Sequence, residues 1–600
     1  MTTPAQTLML RATAALTPSL VAAALLLPHA ASAQEAKTNS PSHYLIQAVN
    51  RLTSVLEPSA SQGPHTFTTT LKVTKAEGMP SQVVGREMDI AFQAPDHLRI
   101  SGNWEQQSFV VCRDGQQMWI YSPVDKFGVV GISEEALTSS ATAADNTNNT
   151  ARMGPLKLPF PIGQLALLPL FADVKLLPGE AVGTTPCRIL KVTPKKEAIE
   201  KMKVPQGTVQ LWLRESDSFP VRFGYRDDKG TDVQIDLGNP QIQDAWPEEK
   251  WKLKANEGDK IVTAEHYFDN YNPSAPLNIT VQDTTKVNKR TPESSYTITK
   301  FTFDGYKGEK IPTLLSLPMN QKGQKLPVIV FLHGIGQNKN FLKEITAPFN
   351  RMGFAFASFD QYTTGERKLE GKPSMMDSLG AFAERPAKTI NETRRLIDYL
   401  LTRPDIDPQR IYLVGASYGA ITGSTVLAKD KRLRAGILVY GGGDFSKLLD
   451  AYAYHLSTAA ALGLIDGKDL NPEKPPLPVL TQAQERQVGM VLGLIKPFAS
   501  RFLGVADPIH YVNQISPTPV YFQNGTHDVL VAAAAGKALQ DAAKEPKKIT
   551  WYESDHVGID IEQTKQVLAD GLKWLMEQDD QFRPPEERGK PLPPFEMDRS

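Results

Sequence analysis

Ser417 is the centre of a Gly-x-Ser-x-Gly pattern in IYLVGASYGA (411–420), with four β-prone apolar residues before it and small, helix-compatible residues after it. A strand, a sharp turn and a helix in that order would hold the serine in a strained backbone conformation. Glycines flank it because side chains there would collide with the neighbouring strand and helix. Oγ would then project outward, where it could attack a carbonyl. A serine hydroxyl is a poor nucleophile until a base takes its proton, and a histidine base needs an acid to fix its tautomer. Five positions with three fixed also describe an ordinary strand-to-helix turn, so the chemistry depends on partners elsewhere in the chain.

Four of the ten histidines follow Ser417. His455 lies in a helical insertion and His510 lies between that insertion and the next strand. His527 directly precedes an acid in a turn. His556 follows the strand KKITWYES and precedes the amphipathic helix DIEQTKQVLADGLKWLM, which places it on a post-strand loop. Asp528, in YFQNGTHDVLV, occupies the turn after a buried strand and is the preferred acid. Asp555 and Asp560 are nearer in sequence, but a neighbour in an extended loop points away from the residue beside it. A developing oxyanion needs backbone donors: the N–H of Tyr418, after the serine, and one from the HGIG loop, with Ile335 first and Gly336 next. His333 in that loop reads as a loop-shaping residue.

The elements that must position these groups change character along the chain. From 43 to 267 the pattern is mostly period two: Phe67, Leu71 and Val73 share one face, as do Met88, Ile90 and Phe92, and hairpins turn at Asp114-Gly115 and Lys229-Gly230. A mainly antiparallel β domain is expected there, preceded by the helix SHYLIQAVNRLTSVL. Residues 155–171, punctuated by prolines, read as a loop or short helix. Residues 268–295 read as a linker. From 296 to 578, short continuous apolar runs (LPVIVFLHG, FAFASFD, RIYLVGAS, RAGILVYGGG, TPVYFQNG) alternate with helices, one of them striped by Ile390, Leu396, Ile397, Leu400 and Leu401 and ended by Pro404. This predicts a doubly wound, mostly parallel sheet. Residues 446–515 are helical in pattern and too long for a simple crossover, so a cap over the sheet is expected. Residues 579–600 read as a disordered tail.

At 600 residues the chain must hold two or three cores. Lys+Arg and Asp+Glu balance at 66 each, which argues against nucleic acid as partner. Arg11, the apolar LVAAALLL and Ala31-Ser32-Ala33 read as a signal peptide over 1–33, cleaved before Gln34, giving a periplasmic or secreted protein. No later stretch is long and apolar enough to span a bilayer, so no transmembrane segment is expected in the mature chain. The two cysteines, Cys112 and Cys187, fall on predicted strands, where a disulfide and two separate buried thiols remain alternatives. With histidines scattered, a structural metal site is not expected.

The motifs FLHGIG, FDQYTTGER, GASYGA, ADPIHYV, NGTHDVLV and SDHVG make residues 296–578 resemble the α/β-hydrolase superfamily, in its dienelactone-hydrolase and acetyl-xylan-esterase-like branch. Ser417, Asp528 and His556 fall in that superfamily's order of serine, acid, histidine. The resemblance implies a serine hydrolase that uses no metal or cofactor, forms an acyl-enzyme and cleaves a carboxylic ester of a small-molecule or acylated substrate. Asp555 stands where that branch commonly has glycine, and Val531-Ala532 replaces a frequent Val-Pro. Through FQAPDHLRISG, VCRDGQQMWIYSP and PCRILKV, the first half resembles periplasmic domains with the half-barrel of the lipoprotein carriers, which implies a concave face able to hold a lipid. Two other functions compete. One is a serine peptidase of the prolyl-oligopeptidase type, disfavoured because no blade-length repeat precedes the hydrolase half. The other is a non-catalytic lipid- or glycan-binding protein.

Overall fold

The computed structural model describes residues 40–56, 63–77, 84–104, 107–131, 152–153, 156–157, 168–202, 206–263, 267–268, 271–289, 295–305, 308–319, 323–368, 375–467, 477–502, 504–589 and 595. The expected signal peptide and most of 155–171 lie outside these residues. The chain divides into two compact units: residues 1–261 with 457–467 and 479–502, and residues 262–456 with 468–478 and 503–600.

The first unit begins with helix α1 (Pro41–Leu56) and strands β1 (His65–Glu77), β2 (Glu87–Gln93), β3 (His97–Trp104), β4 (Gln107–Asp114), β5 (Met118–Ser122) and β6 (Phe127–Gly131). After the two-residue strands β7 (Arg152–Met153) and β8 (Leu156–Lys157) come the turn-length helix α2 (Leu168–Phe171), β9 (Ala172–Val182), β10 (Thr185–Pro194), α3 (Lys196–Met202), β11 (Thr208–Arg214), β12 (Pro220–Arg226), β13 (Asp232–Asp244) and β14 (Lys260–Val262). Twelve of these strands form one sheet in the order β14-β6-β5-β4-β3-β2-β1-β13-β12-β11-β10-β9. Every pairing from β6 to β9 is antiparallel. The half-barrel expectation is therefore met as far as one large antiparallel sheet. Both foreseen hairpins turn on a glycine with positive φ, Gly115 (89°) and Gly230 (87°). Each is pinned by an aspartate: Asp114 Oδ1 accepts from Gln117 N at 2.8 Å, and Asp227 Oδ1 accepts from Thr231 N at 2.9 Å. Leu45, Ala48 and Val49, at helical spacing on α1, pack on Leu190, Val192, Leu211 and Leu213 of the sheet. Cys112 on β4 and Cys187 on β10 are separate buried thiols, with six strands between them in sheet order.

The second unit contains β15 (Thr280–Val287), β16 (Tyr296–Asp304), β17 (Lys310–Pro318), β18 (Leu326–Leu332), α4 (Leu342–Arg351), β19 (Ala355–Phe359), α5 (Met375–Thr402), β20 (Ile406–Ala416), α6 (Tyr418–Lys429), β21 (Ala435–Val439) and α7 (Phe445–Leu448). Two helices follow in the chain, α8 (Tyr452–Ala461) and α9 (Gln482–Phe502), then β22 (Val520–Gly525), α10 (Ala533–Ala542), β23 (Lys547–Tyr552) and α11 (Ile561–Asp579). The sheet order is β15-β16-β17-β19-β18-β20-β21-β22-β23. From β19 to β23 the pairs are parallel, while β15, β16 and β17 form an antiparallel edge. Adjacent residues of β18 point to opposite cores: Val328, Val330 and Leu332 meet Leu396 and Leu400, whereas Ile329 and Phe331 join the cluster of Phe349, Trp574 and Leu575. Burial on both faces is why these strands read as unbroken apolar runs.

Three boundaries need correction. The segment 268–295, expected as a linker, supplies edge strand β15. Nearly all of that strand is exposed, and its sequence TVQDTTKV has no apolar face to betray it. The described parts of 446–515 hold α8, α9 and short 3-10 turns, but 457–467 and 479–502 group with the first unit, where α9 packs against β5 and β6. Helical periodicity reveals an apolar face without naming the sheet it covers. Within the expected tail, residues 580–589 continue from α11 through short 3-10 turns at Asp580–Phe582 and Pro585–Glu587. No helix among the described residues is long and apolar enough to cross a membrane.

Candidate active site

The turn between β20 and α6 places Ser417 at φ 55°, ψ −121°, a conformation that only glycine adopts cheaply. The surrounding packing explains how it is held. A side chain on Gly419 would strike the carbonyls of Leu332 and His333, and one on Gly415 would strike the Gly419 backbone. A Cβ on Gly441, after β21, would sit 2.8 Å from Ala420 Cβ. The elbow is thus wedged against its neighbours through absent side chains, and Ser417 N donates to Val439 O at 2.8 Å. Ser417 itself is half-buried. Tyr418 opens α6, so its N–H is among the helix's first donors, which have no acceptor within the helix.

The loop after β18 runs close by: a Cβ on Gly334 would lie 3.2 Å from Ser417 Cβ. Gly334 N donates to Gln337 Oε1 at 3.2 Å, while Ile335 and Gly336 (φ 82°) are exposed. His333 is fully buried, donates from Nδ1 to Gly334 O at 2.9 Å, and has its own carbonyl held by Gln361 Nε2 at 2.8 Å. Burial pushes its pKa down to about 4, and the nearby Arg385 guanidinium adds to the effect. His333 is neutral at pH 7 and shapes the loop, as its sequence position suggested.

Asp528 and His556 meet. Their side chains are buried, and His556 Nδ1 donates to Asp528 Oδ2 at 2.7 Å. Asp528 Oδ1 accepts from Leu530 N and Val531 N, both at 2.8 Å, which fixes the carboxylate on its turn after β22. Asp555 is half-buried. Its Oδ1 accepts from His556 N at 2.7 Å and from Val529 N at 3.0 Å, so it ties the acid-bearing loop to the histidine-bearing loop. Asp560 caps α11 by accepting from Gln563 N at 2.9 Å. His527 is exposed, and His455 and His510 lie on other segments.

Several residues around the site escaped sequence reasoning. Tyr440, directly after β21, has φ 54° and stands edge-on to His556 at 5.6 Å between ring centres, with its hydroxyl 2.6 Å from Ser554 Oγ. Burial pushes that phenol up to about 12, so it remains a neutral hydrogen-bonding group. Asp507, in ADPIH, accepts from Asp444 N, Phe445 N and Ile509 N at 2.7–3.1 Å and fixes the chain where it leaves β21. Behind the loop after β18, the buried Lys339 Nζ bonds Asp360 at 2.7 Å and Glu366 at 2.6 Å. Gly365 passes so close to the Asp360 carboxylate that no Cβ fits. Arg385 lies 4.3 Å over the Tyr418 ring, and its Nε and Nη2 have no hydrogen-bond partner among the described residues. The available signals were the GGG run 441–443 and the TTGER turn, both marking close backbone approach.

A mostly parallel sheet, a serine on a strained strand-to-helix elbow after β20, and an aspartate and a histidine joined on the loops after β22 and β23 are the arrangement of the α/β-hydrolase fold. Residues 311–469 match the model of the dienelactone hydrolase family. A polyketide transferase of Stachybotrys chlorohalonatus is 24% identical over 280 residues, covering 42% of this chain and 89% of the transferase. Among solved structures, acetyl xylan esterase 1 from Thermoanaerobacterium sp. is 16% identical, with a TM-score of 0.36, over 52% of this chain and 92% of its own. The acetyl xylan esterase from Paenibacillus sp. is 18% identical, with a TM-score of 0.37, over the same shares of each chain.

Proposed function

We propose that the second unit is a serine hydrolase cleaving a carboxylic ester through Ser417, His556 and Asp528. The observation that carries this reading is the 2.7 Å bond from His556 Nδ1 to a fixed, buried Asp528, on the loops that follow the strained Ser417 elbow in the chain. Asp528 holds the imidazole with Nε2 free of its proton. Nε2 takes the Ser417 proton as Oγ attacks the ester carbonyl, then returns it to the leaving alcohol, and water repeats the cycle on the acyl-enzyme. The negative oxygen of each tetrahedral intermediate is received by Tyr418 N–H and by Ile335 N–H, with Gly336 N–H next to it. Gly334 N–H is already committed to Gln337. We further propose export, with cleavage after Ala33, so that the chain works in the periplasm or outside the cell; a secreted form with an intact Met1 would contradict this.

Fluorophosphonate labelling followed by turnover on esters of increasing acyl length tests the assignment. Ser417→Ala should lose the label and reduce turnover by a factor on the order of 10⁶, with an unchanged unfolding transition. Labelling that persists in this variant would overturn Ser417 as nucleophile, and cleavage of peptide amides in preference to esters would overturn the substrate class.

A further inference from the structure

The sheet of the first unit carries two adjoining surface cavities that ester hydrolysis leaves unused. One, of about 330 Å³, lies over β1, β2, β3 and β13; the other, of about 390 Å³, lies over β3, β4, β5 and the segment after β13. Arg99 and Trp246 line both, so the two form one continuous feature. Each is of the size of ordinary small-ligand clefts, roughly 300–1,000 Å³.

A backbone irregularity shapes the first cavity. Thr68 pairs with Gln241 but Thr70 pairs with Gly238, which leaves Asn239 and Pro240 bulged opposite Thr69. Asn239 takes φ 49°, a strained value for a residue with a side chain. A bulge of this kind bends its strand and re-aims side chains, and it recurs beside functional sites. The resulting notch is walled by hydroxyls and amides already held in place: Thr70 Oγ1 donates to Asp89 at 2.8 Å, Gln241 Nε2 to Asn239 Oδ1 at 3.3 Å and Gln243 Nε2 to Thr68 Oγ1 at 3.4 Å. Such groups both donate and accept, as the hydroxyls of a sugar do.

The second cavity has a different chemistry. Lys250, Lys252, Lys254 and Arg99 surround it, against Glu249 as the acid among its lining residues. Lys252 Nζ pairs with Glu249 at 3.9 Å, and two of the other cations are positioned. Lys250 Nζ stands 4.3 Å over the Trp246 ring, and Arg99 lies 5.8 Å over Trp119 while donating to Lys250 O at 3.2 Å. The half-buried Trp246 lines both cavities, with Lys250 Nζ over its ring and the Trp251 ring 5.2 Å away.

We propose that these joined cavities bind an anionic oligosaccharide of the uronic-acid type. Sugar hydroxyls would bond the Thr, Asn and Gln notch, and a carboxylate would pair with Arg99 and with Lys250, which Trp246 holds in place. A neutral glycan leaves the cation cluster unmatched. An anionic lipid surface leaves the hydroxyl and amide notch without partners. The assignment is independent of the proposed catalysis, because none of its residues belongs to the second unit.

Titration calorimetry of the full chain with a galacturonate hexamer, a cellulose hexamer and phosphatidylglycerol vesicles tests it. Binding to the galacturonate hexamer alone, weakening as salt is raised, is the expected result. Trp246→Ala and the exposed-site variant Lys250→Glu should each weaken it about tenfold, with small-ester turnover unchanged in both and melting unchanged in Lys250→Glu; Trp246→Ala also removes a ring packed on Trp251 and should melt lower. Equal binding to the cellulose hexamer, binding to vesicles alone, no binding at millimolar sugar, or affinities unmoved by both substitutions would each overturn the proposal.

Discussion

Backbone strain serves different ends at the Ser417 elbow and at two hairpin tips of the antiparallel unit. In the hydrolase unit, the positive φ values at Ser417 and Tyr440 sit inside packed structure, enforced by glycines whose missing side chains let carbonyls and helices approach. In the antiparallel unit, Gly183 and Gly230 take up positive φ at exposed hairpin tips, where a side chain would meet nothing within 4 Å. Strain under close packing fixes an atom's position to a fraction of an ångström, as a nucleophile requires. Strain at an open tip only reverses the chain.

The largest effect that would sharpen this contrast is chemical. Asp528→Asn should leave a folded protein with turnover reduced by a factor on the order of 10⁴, because the amide favours the wrong imidazole tautomer; single-ester kinetics with circular dichroism as a folding control measures it. A wild-type rate would remove Asp528 from the mechanism.

Next comes packing. Gly419→Ala forces a methyl group onto the Leu332 and His333 carbonyls and should cost about 3 kcal/mol. Gly230→Ala, strained by its φ alone, should cost about 1–2 kcal/mol. Denaturant midpoints of the two variants compare them directly, and equal losses would erase the distinction between wedged and open glycines.

His333 offers a pH test of similar size. Its folded pKa of about 4 lies below the ordinary 6.5, so the unfolded chain binds the proton more readily. The stability it contributes is complete above pH 6.5 and is lost as pH falls toward 4, by about 3 kcal/mol across that window. His333→Asn should flatten the fall in melting temperature between those limits, and an unchanged slope would assign the acid sensitivity elsewhere. The smallest effect is expected at Asp555. Asp555→Ala frees two backbone N–H groups and should lower turnover about tenfold while costing about 1–3 kcal/mol. Asp555→Asn keeps an acceptor and should lower turnover less.

Much of the second unit was legible because burial on both faces writes parallel strands as apolar runs, and because glycine, serine, aspartate and histidine recur at fixed places after those strands. Strand β15 was not, since its side chains face water almost throughout and carry no period. The bridging role of Asp555 was hidden for a related reason: its partners are backbone N–H groups, which nearly every residue has and no sequence marks. Tyr440 and Arg385 were invisible as site residues because their closeness to His556 and Tyr418 arises only when separate strands and helices are brought together. In the first unit the hairpins were plain from Asp-Gly and Lys-Gly, but the bulge at Asn239 follows from a register between strands some 170 positions apart in the chain.

Cys112 and Cys187, the chain's two cysteines, are unpaired and lie in opposite halves of the twelve-stranded sheet. Folding of this protein therefore requires no oxidant, and a reducing agent should leave its melting unchanged. The same two thiols form a built-in pair of clocks. Burial raises the Cys112 thiol to about 12 and also raises that of Cys187, so a thiol reagent reaches either one only when its own strands open. The two labelling rates would report, without any engineered probe, whether the sheet breathes as one body or as two.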